Sequence, residues 1–262
     1  MTTRMTFLGV AGYEVVGPSF RFLVDPFLTG PYPCPDPDTL ETPDVILVSH
    51  AAYDHLGDAA RIAKRTGAPV VCGGEVKAML MDQGLPETQI QATTWGIVVE
   101  VNGVVIRPVE CHHWSQGQLS DGARVTGVPM GFIVETEPGV SIYHYGDTAI
   151  FSDLKLIGEL YAPSVGILGC ANPPELLATA VGAGKLLTGE MSPAEAALAA
   201  EYLGVDVAIA SHYYSPDQDD VRAFVEAVPV YDSTGARTVV APSVGDTLVF
   251  EATADRVSLA VA

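Results

Sequence analysis

Positive charge is scarce in this chain. Thirteen lysines and arginines stand against 32 aspartates and glutamates among 262 residues, a formal net charge of −19 at neutral pH. Such a field repels phosphate backbones and anionic lipid, which argues against nucleic-acid and membrane partners and disfavours a bulky polyanionic substrate. Cysteine is also sparse. Cys34, Cys72, Cys111 and Cys170 form no C-x-x-C pair and no disulfide framework, and read as small buried hydrophobes. No run approaches the roughly 18 apolar residues of a membrane span. The N-terminal stretch has a single arginine and no long apolar segment of a signal peptide. The expected location is a reducing cytoplasm and the expected partner a small-molecule substrate; self-association into a homo-oligomer stays open.

What is present is one dense polar turn. Val45-Ile46-Leu47-Val48 reads as a short buried strand, and Ser49-His50-Ala51-Ala52-Tyr53-Asp54-His55 follows it directly. Polar groups at the mouth of a buried strand are costly unless something pairs with them. A metal ion explains two imidazoles and a carboxylate within six residues; a capped turn explains Asp54 but neither histidine. Two further strand ends carry ligand-type residues, Asp147 in Gly146-Asp147-Thr148 and His212 after Val207–Ala210. His112-His113 lies in a polar stretch after another strand. Imidazole with carboxylate suits a divalent ion such as Zn, Mn or Fe.

The rest of the chain supplies a scaffold. Met5–Val10, Tyr13–Val16 and Phe20–Val24 read as strands with tight turns. Asp25–Pro43 holds six prolines in nineteen residues and reads as a loop; it is expected to line the mouth of the pocket. Leu56–Arg65 and Glu75–Asp82 suit helices, Val70–Cys72 a strand. Asn102-Gly103 marks a hairpin between Ile97–Val101 and Val104–Val109. Cys111–Gly127 reads as a loop, Gly131–Glu135, Ser141–Tyr145 and Val165–Leu168 as strands. Cys170–Gly189 is ambiguous. Ser192-Pro193-Ala194-Glu195 opens a helix with its cap, first-position proline and acid. Asp219–Ala227 suits a helix, Thr238–Ala241 and Thr247–Glu251 closing strands. Strands followed by helices occur in each half, so the expected architecture is a single α/β (α+β) domain over residues 1–262. Its two β-then-α halves would pack as a four-layer αββα sandwich.

These motifs resemble those of the metallo-β-lactamase-fold hydrolases. Their signature turn, T/S-H-x-H-x-D-H, is matched by Ser49 to His55; a distant His, a G-D-T strand end and a C-terminal His are matched by His113, Gly146-Asp147-Thr148 and His212. Glu110-Cys111-His112-His113-Trp114-Ser115, followed by Gly131-Phe132-Ile133, is similar to the branch containing ascorbate-6-phosphate lactonase, the UlaG-like proteins and the N-acyl-phosphatidylethanolamine phospholipase D relatives, and Thr188-Gly189-Glu190-Met191-Ser192-Pro193 resembles the lactonase-like members. The resemblance implies a metallohydrolase fold from Met5 to about Phe250, a metal site of Asp54, His55, Asp147 and His212, and a second site of His50, His113 and Asp147. The family's second histidine is Ala52 here, so the second site lacks a ligand. One tightly held ion is therefore expected, with Glu190 or His112 the candidates to complete the other site.

The implied reaction is hydrolysis of a small ester, lactone or amide by a metal-activated water. Asp54 would orient the water or carry its proton, and His50 would act as base or donor. Tyr53, Tyr213 and Tyr214, beside the ligands, would donate to an oxyanion. His144 reads as packing, Trp95 as core and Trp114 as pocket wall. A phosphodiesterase would need cations near the motifs, where only Arg107 and Arg124 are available. A non-catalytic scaffold on the same fold is the other open alternative.

Overall fold

The run Val45–Val48 shows how the layers arise. Val45 and Leu47 belong to one apolar cluster, Ile46 and Val48 to another, because successive strand residues face opposite sides of a sheet. A strand buried on both faces lies between layers. The structure, a computed structural model, describes residues 2–178 and 182–260. The chain begins with β1 (Arg4–Gly9), β2 (Gly12–Val16), β3 (Arg21–Val24) and β4 (Val45–Val48), then α1 (Tyr53–Leu56), α2 (Ala59–Thr66), β5 (Val70–Cys72), α3 (Gly74–Asp82) and β6 (Ile90–Ala92). It continues through β7 (Val99–Val101), β8 (Val104–Val109), β9 (Ser115–Gln118), β10 (Arg124–Gly127), β11 (Gly131–Glu137), β12 (Val140–His144), α4 (Leu154–Tyr161), β13 (Val165–Gly169) and α5 (Pro174–Leu177). It closes with α6 (Pro193–Leu203), β14 (Val207–Ser211), α7 (Asp219–Tyr231), β15 (Thr238–Val240), β16 (Thr247–Ala252) and β17 (Val257–Leu259).

The strands form an eight-stranded sheet, β17-β16-β1-β2-β3-β4-β5-β6, a seven-stranded sheet, β15-β14-β13-β12-β11-β8-β7, and the separate pair β10-β9. Phe22, Val24 and Leu47 of the first sheet share a core with Phe132, Ile142 and Ile167 of the second. Helices α2 and α3 bury Ile62, Val76 and Leu80 on the outer face of the first sheet. Helices α4, α6 and α7 add Ile157, Leu203 and Phe224 to the cluster of the second. This is the expected αββα sandwich. Strands β3 to β6 run parallel in one sheet and β12 to β15 in the other, so both sheets gather their parallel carboxyl ends, where open sheets place their chemistry.

Local chemistry explains the matches. Asn102 and Gly103 adopt φ of 49° and 82° and close the β7–β8 hairpin. Ser192 caps α6 in a reciprocal box with Glu195, Pro193 stands in the first turn and Gly204 ends the helix in the left-handed conformation. Three expectations change. The helix expected over Leu56–Arg65 is broken into α1 and α2 at Gly57-Asp58, where Gly57 passes close to the backbone of Pro26 and Phe27 and the Asp58 carboxylate accepts from the Leu28 amide at 2.8 Å. Cys111–Gly127 is not all loop but contains β9 and β10. Residues 149–164, without an expected element, contain α4, whose Gly158 lets the carbonyls of Tyr202 and Leu203 approach.

Candidate metal centre

Three residues leave the ends of their strands through the same backbone device. Asp25 follows β3, Asp147 follows β12 and His212 follows β14, with φ of 43°, 60° and 67°. Left-handed backbone at a non-glycine residue costs about 1–2 kcal/mol, and such residues cluster where a side chain must be aimed. Here the turns aim three buried polar side chains, Asp147 and His212 into the cavity and Asp25 onto the histidines behind it. The turn after β4 adds His50, then Asp54 and His55 from α1, all buried.

The imidazoles are oriented from behind. Asp25 is fully buried and accepts from the Ser49 amide at 2.8 Å, the Ser49 hydroxyl at 2.6 Å, His55 Nδ1 at 2.8 Å and His144 Nε2 at 2.8 Å. His212 Nδ1 donates to the Ala171 carbonyl at 3.0 Å, and His50 Nδ1 lies 3.0 Å from the Ser49 hydroxyl. With each Nδ1 committed, each Nε2 is left to face the same space, as in carboxylate–histidine–metal triads. Asp147 Oδ2 is 3.1 Å from His55 Nε2, 3.4 Å from His212 Nε2 and 3.8 Å from His50 Nε2. Asp54 Oδ2 is 3.5 Å from His212 Nε2 and 4.0 Å from His55 Nε2.

The Nε2 atoms of His50, His55 and His212, together with Asp147 Oδ1, are buried without a hydrogen-bond partner. Orphaned buried polar atoms are rare and costly. Converging imidazole nitrogens and carboxylate oxygens are what a divalent cation satisfies, and the donors of His50/His55/Asp147 and of Asp54/His55/His212 each lie within 4.8 Å of one another. The residues present therefore fit such an ion. Burial opposes charging His55 and His212, yet Asp147 with Asp25 raises the first, and Asp147 with Glu190 the second, well above the ordinary imidazole value. Burial, reinforced by His55, instead lowers His50 to about 3, so it is neutral.

The other residues singled out in the sequence separate. His113 lines the cavity with its ring edge-on to His50, centroids 5.1 Å apart, but joins none of the tight donor groups among the described residues. His112 is turned away, bonded to Glu110 at 2.8 Å and stacked on Phe151. Glu190 is buried behind His212, its Oε1 3.2 Å from Nδ1. It stands beside Asp147 and His212 rather than between His50 and His113, and burial pushes its carboxyl up to about 8. It precedes the cap of α6 and is not a first-turn acid.

Four readings are corrected. The Tyr213 hydroxyl donates to the Pro242 carbonyl at 2.5 Å in the core, with its ring on Phe7, so it has no oxyanion role. Tyr213→Phe should leave turnover unchanged and lower stability by about 1–2 kcal/mol, the cost of stranding a buried acceptor, as measured by urea unfolding. His144 is not mere packing but holds Asp25. Trp95 is half-exposed, its indole bonded to the Pro129 carbonyl. The loop Asp25–Pro43 contributes nothing to the cavity lining, because Asp58 and Arg61 draw it down onto α2. Asp25 and His144 are what sequence reasoning missed. An acid directly after an apolar strand was the available signal for the first.

A cavity of about 520 Å³ opens above the cluster, lined by Asp54, Asp147 and His212 below and by Tyr53, His113 and Trp114 at the sides. Among the described residues no helix is long and apolar enough to cross a membrane. Residues 17–213 match the beta-lactamase superfamily domain. A UPF0173 metal-dependent hydrolase of Methanopyrus kandleri is 39% identical over 229 residues, 86% of this chain and 91% of that protein. Another, of Rubrobacter xylanophilus, is 37% identical over 222 residues, 80% and 81% of the two chains. The solved structure of a metallo hydrolase from the archaeon Ignicoccus hospitalis has a TM-score of 0.74 at 27% identity, covering 97% of this chain and all (100%) of that one. The strand-end cluster, the sandwich that builds it and these likenesses agree: the chain belongs to the metallo-β-lactamase superfamily, within its UPF0173 family of metal-dependent hydrolases.

Proposed function

We propose that the chain hydrolyses a small ester, lactone or amide with one tightly bound divalent ion held by Asp54, His55, Asp147 and His212. The observation that carries this is the convergence of buried, unpartnered imidazole nitrogens on Asp147 at the floor of an open cavity. An ion bound there supplies a Lewis acid and lowers the pKa of water toward neutrality. The chain's own groups do the rest. Asp54 borders the cavity, and although burial would raise its carboxyl, His212 and His55 keep it below the ordinary value. It is the group to orient the attacking water and accept its proton. His113, its pKa lowered by burial, is a neutral imidazole on the cavity wall, able to donate one hydrogen bond to substrate. The similarity of the Thr188–Pro193 segment to lactonase-like proteins, together with an acidic chain of net charge −19 that disfavours phosphodiesters, supports a carbonyl substrate. One cation in the cavity, Arg124, favours phosphodiester hydrolysis as the second reading. Activity on lactones and p-nitrophenyl esters against bis-p-nitrophenyl phosphate separates the two; turnover of the phosphate alone would reject the first.

Single occupancy follows from Ala52, which lines the same cavity as His113 and has no ligand to offer. Ala52→His should raise the metal content from about one to about two ions per chain by elemental analysis, since imidazole is a ligand that borderline divalent ions favour. An unchanged stoichiometry would contradict the single-site account.

A further inference from the structure

One wall of the cavity is built by the β9–β10 hairpin, whose two faces differ in kind. In the antiparallel register Gln116 pairs with Thr126 and Gln118 with Arg124. Side chains alternate along a strand, so these four residues share one face and Ser115, Gly117, Val125 and Gly127 the other. The second face is clamped to α3. The Ser115 hydroxyl donates to buried Glu75 at 2.5 Å and accepts from the Ala51 amide of the metal turn at 3.0 Å. Gly117 and Gly127 lie so close to Met79 and Glu75 that any side chain would overlap them. The hairpin is thus fixed relative to the cluster, and its polar face is turned to the cavity, which Gln116 and Arg124 line.

Arg124 is the cavity's one lysine or arginine among the described residues. Carboxylates hold Arg21, Arg61, Lys77 and Arg237, and Arg107 lies over the Tyr161 ring. The Arg124 guanidinium has no ion pair or hydrogen bond among the described residues. In a chain of net charge −19, distant acids are screened beyond about 8 Å at physiological salt, so the cavity's own charged groups act on a substrate: Asp54 and Asp147 at the metal cluster and Arg124 on the hairpin. A guanidinium presents a planar fork that matches carboxylate and phosphoryl oxygens. Leu176, Leu177 and Leu186 line the same cavity and would shelter an apolar portion.

We propose that Arg124 selects the substrate by binding an anionic group, a carboxylate or phosphoryl oxygen, carried on the same small molecule as the scissile bond. This rests on the hydrolase reading for the bond that is broken, and it makes Arg124 a specificity residue rather than a participant in bond cleavage.

The test compares metal-loaded wild type with R124A, R124K and R124E, which alter an exposed hairpin position. Substrates are the mono-p-nitrophenyl ester of glutarate and its neutral methyl ester; calorimetry measures binding of glutarate and of inorganic phosphate. The ratio of kcat/KM for the anionic over the neutral ester should fall about 10–100-fold in R124A, as expected for losing a charge-assisted hydrogen bond. It should be partly retained in R124K and reversed in R124E. Affinity for whichever of glutarate and phosphate binds should fall by a similar factor, and that probe names the anion. A ratio that R124A leaves unchanged, or binding of both probes that ignores Arg124, overturns the proposal even if esters are hydrolysed. If neither ester is turned over but binding still depends on Arg124, the carbonyl-hydrolase reading fails and the anion site stands.

Discussion

Asp25→Ala will cost about 3–5 kcal/mol of folding stability and remove tight metal uptake, although Asp25 touches no ion and lines no cavity. Its carboxylate gathers four hydrogen bonds from Ser49, His55 and His144 in a site with no solvent exposure. Removing one partner of a buried charged network leaves the others unpaired, which is where costs of this size arise. The functional effect follows from the same bonds, because His55 Nδ1 released from Asp25 no longer fixes where Nε2 points. Asp25→Asn should fall between, keeping an acceptor for Ser49 but losing the charge. Burial would raise this carboxyl, yet His55 and His144 hold it below the ordinary range. A depressed carboxylate stabilises the fold above its unfolded pKa of about 3.9 and loses that contribution as pH falls through the folded value. The advantage of wild type over Asp25→Asn should therefore be full at neutral pH and narrow below about pH 4, as followed by urea unfolding of the metal-free proteins.

Asp147→Asn should lower hydrolysis by about 10³-fold or more, equivalent to ~4 kcal/mol of lost transition-state stabilisation. Among the described residues its carboxylate is the one ion-pairing group within 3.8 Å of the Nε2 atoms of His50, His55 and His212 alike, and asparagine keeps the volume without the charge. The same substitution changes proton bookkeeping. In the metal-free chain Asp147 raises both His55 and His212 above the ordinary imidazole value, so both carry protons near neutrality and a binding ion must displace them. Metal affinity should rise with pH through that range, with proton release detectable by calorimetry in buffers of differing ionisation enthalpy. Asp147→Asn should weaken uptake and reduce the protons released; equal release in both proteins would contradict this.

The parts legible in the sequence are those where local signals agree with the tertiary environment. His50, Asp54 and His55 stand out because polar ligands crowd against a strand too apolar to tolerate them alone. Asp147 and His212 are found by their position at strand ends, which the parallel topology turns into one crevice. The layers follow from strands such as Val45–Val48 that are apolar on both faces. Asp25 is hidden because an acid before proline is ordinary turn chemistry, and its partner His144 lies 119 residues away. The β9–β10 hairpin is hidden for another reason. Ser115-Gln116-Gly117-Gln118 and Arg124-Val125-Thr126-Gly127 lack an apolar face, since α3 receives them through glycines and a Ser–Glu bond. That missing alternation removed from the sequence reading the wall that carries Arg124. The place of Glu190 was not legible because no local pattern reports that a residue is buried behind a distant histidine.

One divalent ion is expected to bind where β4, β12 and β14 end. The most direct measurement is an anomalous difference map from crystals of the protein purified with zinc or manganese, recorded on both sides of the metal's absorption edge. The expected result is a single strong peak within coordination distance of Asp54, His55, Asp147 and His212, with Nδ1 of His55 still on Asp25. No peak there in metal-supplemented protein, or a peak coordinated elsewhere, would contradict it.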